Sequence, residues 1–216
     1  MIMKQETQEI LHELTVRYPV LAPFAKDVES VYEILQTCFE KGNTLYICGN
    51  GGSCADSEHI AGELLKSFKK CRPVQADFAE KLAKYGEKGE RLIQNLERGL
   101  PTVSLCGHSA YSTAYANDKD PMLVFAQQVG VFGKAGDVLL TLSTSGNSQN
   151  CVYAALVAKA KDMQVVSLLG NTGGELKTLS DACVVAPEKE TFKVQELHLP
   201  IYHCLCAMLE AEFFGA

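Results

Sequence analysis

Near the start of the chain the apolar positions recur at helical spacing. Ile10, Leu11 and Leu14 form one stripe; Val28, Val31, Ile34, Leu35 and Cys38 form a second. They predict two N-terminal helices, the second ended by Gly42. Beyond residue 42 the period changes. Five short apolar runs follow, at 44–48, 102–106, 138–142, 165–169 and 183–186. Each is continuous rather than alternating, the pattern of strands buried on both faces of a parallel sheet. Helical stretches separate most of them. The clearest is 147–161, with Val152, Ala155, Leu156 and Ala160 on one broad side. The last segment, 195–214, also reads as helix, with a kink expected at Pro200. This alternation predicts a three-layer α/β sandwich on a parallel sheet, with ligands at the carboxyl ends of the strands.

One stretch interrupts the alternation. Between the first strand's helix and the second strand lie residues 71–100. Phe78, Leu82, Tyr85, Leu92, Ile93 and Leu96 allow two short helices around the Gly86–Gly89 break, a helical insertion on one face. With N-terminal helices over 1–42 and this insertion, the 216 residues make a single domain.

Composition narrows the class. Hydrophobic residues are 47% and charged residues 21%, which excludes a disordered chain. No apolar run approaches the roughly 18 residues a membrane helix needs. Glu6, Glu9 and Glu13 stand where a signal peptide would need an apolar stretch. The nine cysteines are odd in number and include no CxxC pair. Several sit inside apolar runs, as small core residues of a reduced, cytoplasmic protein. The net charge of −6 argues against nucleic-acid binding, which needs a basic face. The run Lys66, Lys69, Lys70 and Arg72 reads as a solvated helix end.

Two strand-to-helix turns are rich in Gly, Ser and Thr: CGNGGS at 48–53 and STSGNS at 143–148. A turn that opens a helix presents free N–H groups and a positive helix end to an anion. Gly51 and Gly52 allow close approach of a ligand. Ser53, Ser143, Thr144, Ser145 and Ser148 add hydroxyl donors. Either turn alone could be only a capped helix start, but two on one sheet favour a phosphate site. Neither is a nucleotide fingerprint: Cys54 replaces the third glycine of GxGxxG, and GxxxxGK[ST] does not occur. A small phosphorylated molecule is the expected ligand.

His59 and Glu63 are four apart in SEHIAGELL, so they share a helix face and can bind a divalent ion or act as an acid/base pair. Gln195, His198 and His203 lie together in QELHLPIYH. Gln195 and His203 differ by about 80° around an ideal helix and can face one cleft. A core role for any single one of these histidines is the competing reading. His12 and His108 read as surface or structural.

CGNGGSCADSEHIAGELL, ANDKDPMLVFAQQV, GDVLLTLSTSGNSQN and VQELHLPIYHCLCAMLE together resemble the sugar isomerase (SIS) fold family, and within it the phosphoheptose isomerases. The likeness runs from about residue 28 to the C-terminal helix, skipping 71–100. It implies a five-stranded parallel sheet of flavodoxin-like order in a homotetramer with sites between subunits. It implies interconversion, through an enediol, of sedoheptulose 7-phosphate and D-glycero-D-manno-heptose 7-phosphate. It further implies Zn2+ held by His59, Glu63, Gln195 and His203, with Glu63 as catalytic base and His203 as partner acid/base. Substrate phosphate would lie on Ser53, Ser143, Thr144, Ser145 and Ser148, with Asn50 and Asp118 on the sugar.

Three features depart from that pattern. Ser67 stands where these enzymes commonly carry arginine, residues 71–100 are longer than their usual connection, and Pro200 lies within the helix that presents His203. A non-catalytic module that senses a phosphosugar or binds a protein would keep the hydroxyl-rich turns but has no need of His59, Glu63 and His203 together. An etherase or a deaminating isomerase would need other acid/base residues.

Overall fold

The computed structural model describes residues 3–215; residues 1, 2 and 216 of the expected 1–216 domain lie outside the described residues. Two helices open the chain, α1 (Gln5–Arg17) and α2 (Ala25–Glu40), joined by a 3-10 turn at Pro19–Phe24. Then come β1 (Leu45–Gly49), α3 (Gly52–Leu65), α4 (Ala76–Ala83), α5 (Glu87–Asn95) and β2 (Thr102–Ser104). Next are α6 (Ser109–Asp118), α7 (Val124–Phe132), β3 (Val138–Ser143), α8 (Gln149–Ala160) and β4 (Gln164–Leu169). The chain closes with α9 (Gly174–Leu179), β5 (Ala182–Val185) and α10 (Thr191–Phe214).

The five strands pair in parallel in the order β2-β1-β3-β4-β5. Strand alternation sorts the core into two clusters, one on each face. Leu45, Ile47, Val138, Leu140, Val166 and Leu168 pack under α1, α2, α3 and α10. Tyr46, Cys48, Leu139, Val165 and Leu169 pack under α7, α8 and α9. Both clusters are apolar, which is why the runs show no polar face in sequence. The fold is therefore the three-layer α/β sandwich expected, with the expected strand order.

β1 and β3 are neighbours, registered from Leu45 opposite Val138 to Gly49 opposite Leu142. The chain leaves β1 toward β2 on one side and β3 toward β4 on the other. The turns after β1 and β3 thus flank the switch point where such sheets bind ligands.

The helix α10 runs through Pro200 without interruption. A proline inside a helix costs about 3 kcal/mol or more. Here Val194, His198, Ile201, Tyr202, Leu205 and Leu209 are all buried on the same element, and that burial outweighs the lost hydrogen bond. Residues 71–100 hold α4 and α5, broken at Gly86, where φ is 59°. Four of the nine cysteines reach the surface in some degree, and all nine are free thiols.

The run at 66–72 corrects the sequence reading. Lys66, the C-cap of α3, and Lys69 are exposed as expected, but Arg72 is 0% exposed. Its guanidinium pairs with Glu210 of α10 at 2.9 Å and donates to the carbonyls of Leu64 and Glu63. Glu210 also accepts from the backbone N–H groups of Phe68 and Lys69. The arginine's partner lies 138 residues away, so charge spacing along the chain carries no sign of it.

Candidate active site

The turn after β1 is built for tightness. A Cβ on Gly49 would sit 2.6 Å from the Ser53 carbonyl oxygen, and Gly51 has φ 56°, so glycine is required at both. Ser53 is buried at the first turn of α3. The turn after β3 is held by its own hydroxyls. Ser143 Oγ meets Ser148 Oγ at 2.9 Å and accepts from the Gly146 N–H at 3.1 Å. Ser145 Oγ accepts from the Asn147 N–H. Thr144 is half-buried beside them.

The two turns are tied together by a pair that the sequence reading missed. Asn50 Nδ2 donates to Asn150 Oδ1 at 2.9 Å, and Asn150 Nδ2 donates back to Asn50 Oδ1 at 2.8 Å. Asn50 therefore spends its amide on α8. The signal available in sequence was an Asn in the first hydroxyl-rich turn and another just beyond the second; their pairing required adjacent β1 and β3. Asp118 is exposed at the end of α6, accepting from Asn117 Nδ2.

The helices α3 and α10 lie side by side and advance in the same direction. Gln195 packs over Gly52, where a Cβ would come within 2.6 Å of its Nε2. One stage further, His59 meets Tyr202 and His203, with ring centroids at 5.5 and 5.0 Å. Beyond both, Glu210 takes the N–H groups that follow α3. This pairing brings His59, Glu63 and His203 together. It leaves Gln195 at the level of Gly52, which is seven residues before His59 on α3, roughly 10 Å along the axis at about 1.5 Å per residue.

His59 Nε2 faces Glu63 Oε1 at 3.3 Å, with the histidine side chain 44% exposed and the glutamate 14%. Glu63 Oε2 and His203 Nε2 are buried without hydrogen-bond partners. The Lys66 ammonium stands 3.6 Å from Glu63 Oε2, just outside hydrogen-bond range. Burial pushes the His203 imidazole below its ordinary value of 6.5; the neighbouring His59 adds to this and Glu63 opposes it. A neutral His203 can accept a proton and return it. His198 does other work: it is 0% exposed, and its Nε2 bonds the Leu169 carbonyl at the end of β4. His108 is also structural, held to Gln128.

The donor chemistry fits a divalent transition ion. Two ligands at about 2.1 Å in a tetrahedral shell stand roughly 3.4 Å apart, and His59 Nε2 and Glu63 Oε1 are 3.3 Å apart. Two more donor atoms, Glu63 Oε2 and His203 Nε2, are buried nearby without a hydrogen bond. Among the described residues, however, no three His, Cys, Asp or Glu side chains already surround one point.

Comparison with known proteins decides the family. A SIS domain model matches residues 96–170. The chain is 33% identical over 198 residues to the phosphoheptose isomerase of Akkermansia muciniphila, covering 92% of each chain. It is 35% identical over 207 residues to that of Crocosphaera subtropica, covering 95% of this chain and 93% of the other. The chain belongs to the phosphoheptose isomerase family. The structure of phosphoheptose isomerase from Neisseria gonorrhoeae superposes with a TM-score of 0.71 at 28% identity, covering 95% and 94% of the two chains. That from Francisella tularensis gives 0.70 at 28% identity, with 85% of each chain covered. Phosphoheptose isomerases are aldose–ketose isomerases, and this family member is homologous to them along almost its whole length. Among the described residues no helix is long and apolar enough to cross a membrane.

Proposed function

We propose that this chain interconverts sedoheptulose 7-phosphate and D-glycero-D-manno-heptose 7-phosphate in the cytoplasm, with Zn2+ held by His59, Glu63 and His203, and by Gln195 as the family resemblance implies. What supports this reading is the pair of buried atoms without a hydrogen bond, Glu63 Oε2 and His203 Nε2, on adjacent helices beside His59. Leaving polar atoms buried and unpaired costs about 1–3 kcal/mol each, a cost that a substrate or ion would offset.

The reaction moves one proton between adjacent carbons and another between their oxygens. From the ketose, Glu63 takes a proton from C1, and the released electron pair forms the C1–C2 double bond of the enediol. His203, its imidazole pushed toward the neutral form by burial, takes the proton from O1 and hands one to O2. Glu63 returns its proton to C2 as the C1 carbonyl forms. Its Oε1 faces His59, and its Oε2, without a hydrogen bond, is the oxygen that would take the proton. A bound divalent ion would supply Lewis-acid stabilisation of the enediolate oxygens.

The phosphate falls to Ser53, Ser143, Thr144, Ser145 and Ser148, with Asn50 and Asp118 on the sugar. Ser53 and Glu63 are ten residues apart on α3, roughly 15 Å along the axis. With bonds of about 1.5 Å, a seven-carbon sugar phosphate spans roughly 9 Å from C1 to phosphorus. That spacing leaves room for a second copy to complete the site, in keeping with the homotetramer that the family resemblance implies. Exposed Leu65 and Leu199, on α3 and α10, suit such an interface.

Proton NMR of the full-length protein with sedoheptulose 7-phosphate in deuterated water tests the activity. Deuterium should enter C2 of the aldose product, and added chelator should stop it. No exchange with the metal-loaded protein would overturn the reading.

A further inference from the structure

His59 is gripped from the side away from Glu63. Its Nδ1 lies 3.0 Å from the Tyr202 hydroxyl, and that hydroxyl donates to Asp56 Oδ1 at 3.2 Å. Tyr202 is 1% exposed and Asp56 half-buried, so water does not compete freely for either contact. The Tyr202 and His203 rings meet the His59 ring edge to face, at 74° and 86°, which holds its plane.

Counting protons gives the consequence. A tyrosine hydroxyl has one hydrogen, and an ionised carboxylate can only accept. With that hydrogen on Asp56, the contact between Tyr202 and His59 needs its hydrogen from Nδ1. A neutral His59 then carries no proton on Nε2. Its lone pair points at Glu63 Oε1, 3.3 Å away, so two electron-rich atoms face each other. Either a proton on Nε2 or a metal ion between them relieves that repulsion.

We propose that Tyr202, oriented by Asp56, is a positioning residue that holds His59 as the Nδ1–H tautomer and so makes Nε2 and Glu63 a cation-binding pair. The role rests on the metal-assisted site proposed above and adds to it the device that prepares the site before an ion arrives. A hydrogen-bond partner on the far nitrogen of a metal-binding histidine typically contributes 10–100-fold in affinity. The usual partner is a carboxylate or carbonyl; here a buried phenol stands between the carboxylate and the ring.

The test reads the tautomer itself. Long-range proton–nitrogen correlation spectra of the metal-free, full-length protein, at a pH where the His59 ring is neutral, should show Nδ1–H. In Asp56→Ala the Tyr202 hydroxyl is released and donates to Nδ1, so His59 should switch to Nε2–H. Tyr202→Phe, which keeps the ring packing, should give a mixture of the two. Titration of Zn2+ alone against a chromophoric chelator should show affinity lower by 10–100-fold in Asp56→Ala. A wild-type His59 in the Nε2–H form, or a tautomer unchanged by Asp56→Ala, would overturn the proposal. Nδ1–H in a wild-type protein that binds no Zn2+ would uphold the positioning role and defeat the zinc assignment instead.

Discussion

Arg72 and Glu210 form an ion pair at 2.9 Å that is closed to solvent on both sides, with side chains 0% and 1% exposed. The pair fastens the segment after α3 onto α10, about two turns beyond His203. Removing one partner of a buried pair typically costs 3–5 kcal/mol, because the other charge is left uncompensated. Arg72→Met should therefore lower the stability by about that much in denaturant unfolding. Adding Glu210→Gln should recover part of the loss, since the neutral amide can still accept from the Phe68 or Lys69 N–H. If the double variant is no more stable than Arg72→Met alone, a stranded charge is not the cause.

Acid should act on stability through Glu210, His198 and His203, all in the same direction. Burial pushes the Glu210 carboxyl up, but donation from Phe68, Lys69, Lys70 and Arg72 together holds it below its ordinary 4.5. Its stabilisation is complete above 4.5 and is lost as the pH falls through the lower folded value. His198 is pushed below its ordinary 6.5, chiefly by burial, with its bond to Leu169 opposing. Below pH 6.5 the unfolded chain binds a proton that the folded chain refuses, so stability falls from there downward. His198→Gln, whose amide can still reach Leu169, should flatten part of the limb that begins near 6.5. Melting curves from pH 8 to 4 measure both limbs.

Glu63→Gln and His203→Gln should each leave the fold intact and reduce turnover by a factor on the order of 10² or more. Michaelis constants should change far less than turnover, because each group acts on the reacting protons. Retained turnover in Glu63→Gln would point to another base.

Sedoheptulose 7-phosphate should raise the melting temperature, and sedoheptulose should not, if the hydroxyl-rich turns hold the phosphate. Ser143→Ala removes the hydroxyl that meets Ser148 and Gly146 and should abolish most of the shift. An equal shift in this variant would remove the turn after β3 from the phosphate site.

Asn150→Ala should loosen the turn after β1 from α8 and cost about 1 kcal/mol of stability. The larger effect should be on substrate affinity, with KM raised roughly tenfold, the equivalent of about 1.4 kcal/mol. An unchanged KM would show that the Asn50–Asn150 pair is only structural.

The architecture was legible along the chain because its main signals are local. Continuous apolar runs give strands buried on both faces, and Val28, Val31 and Leu35 give a helix stripe that the core cluster contains. The two hydroxyl-rich turns and the His59–Glu63 spacing likewise depend only on neighbours within a turn or two. The C-terminal His203 could be joined to them through resemblance to known sequences. Other decisions needed elements far apart in sequence to meet. Only the side-by-side course of α3 and α10 sets Tyr202 against His59, buries Arg72 on Glu210 and leaves Gln195 at Gly52. A charge in a basic run looks solvated until its partner arrives from 138 residues away, because burial and pairing belong to the packed helices. Local pattern thus determined which segments form helix or strand and which carry reactive groups; tertiary packing decided which of those groups face each other, since that depends on distances no spacing along the chain encodes.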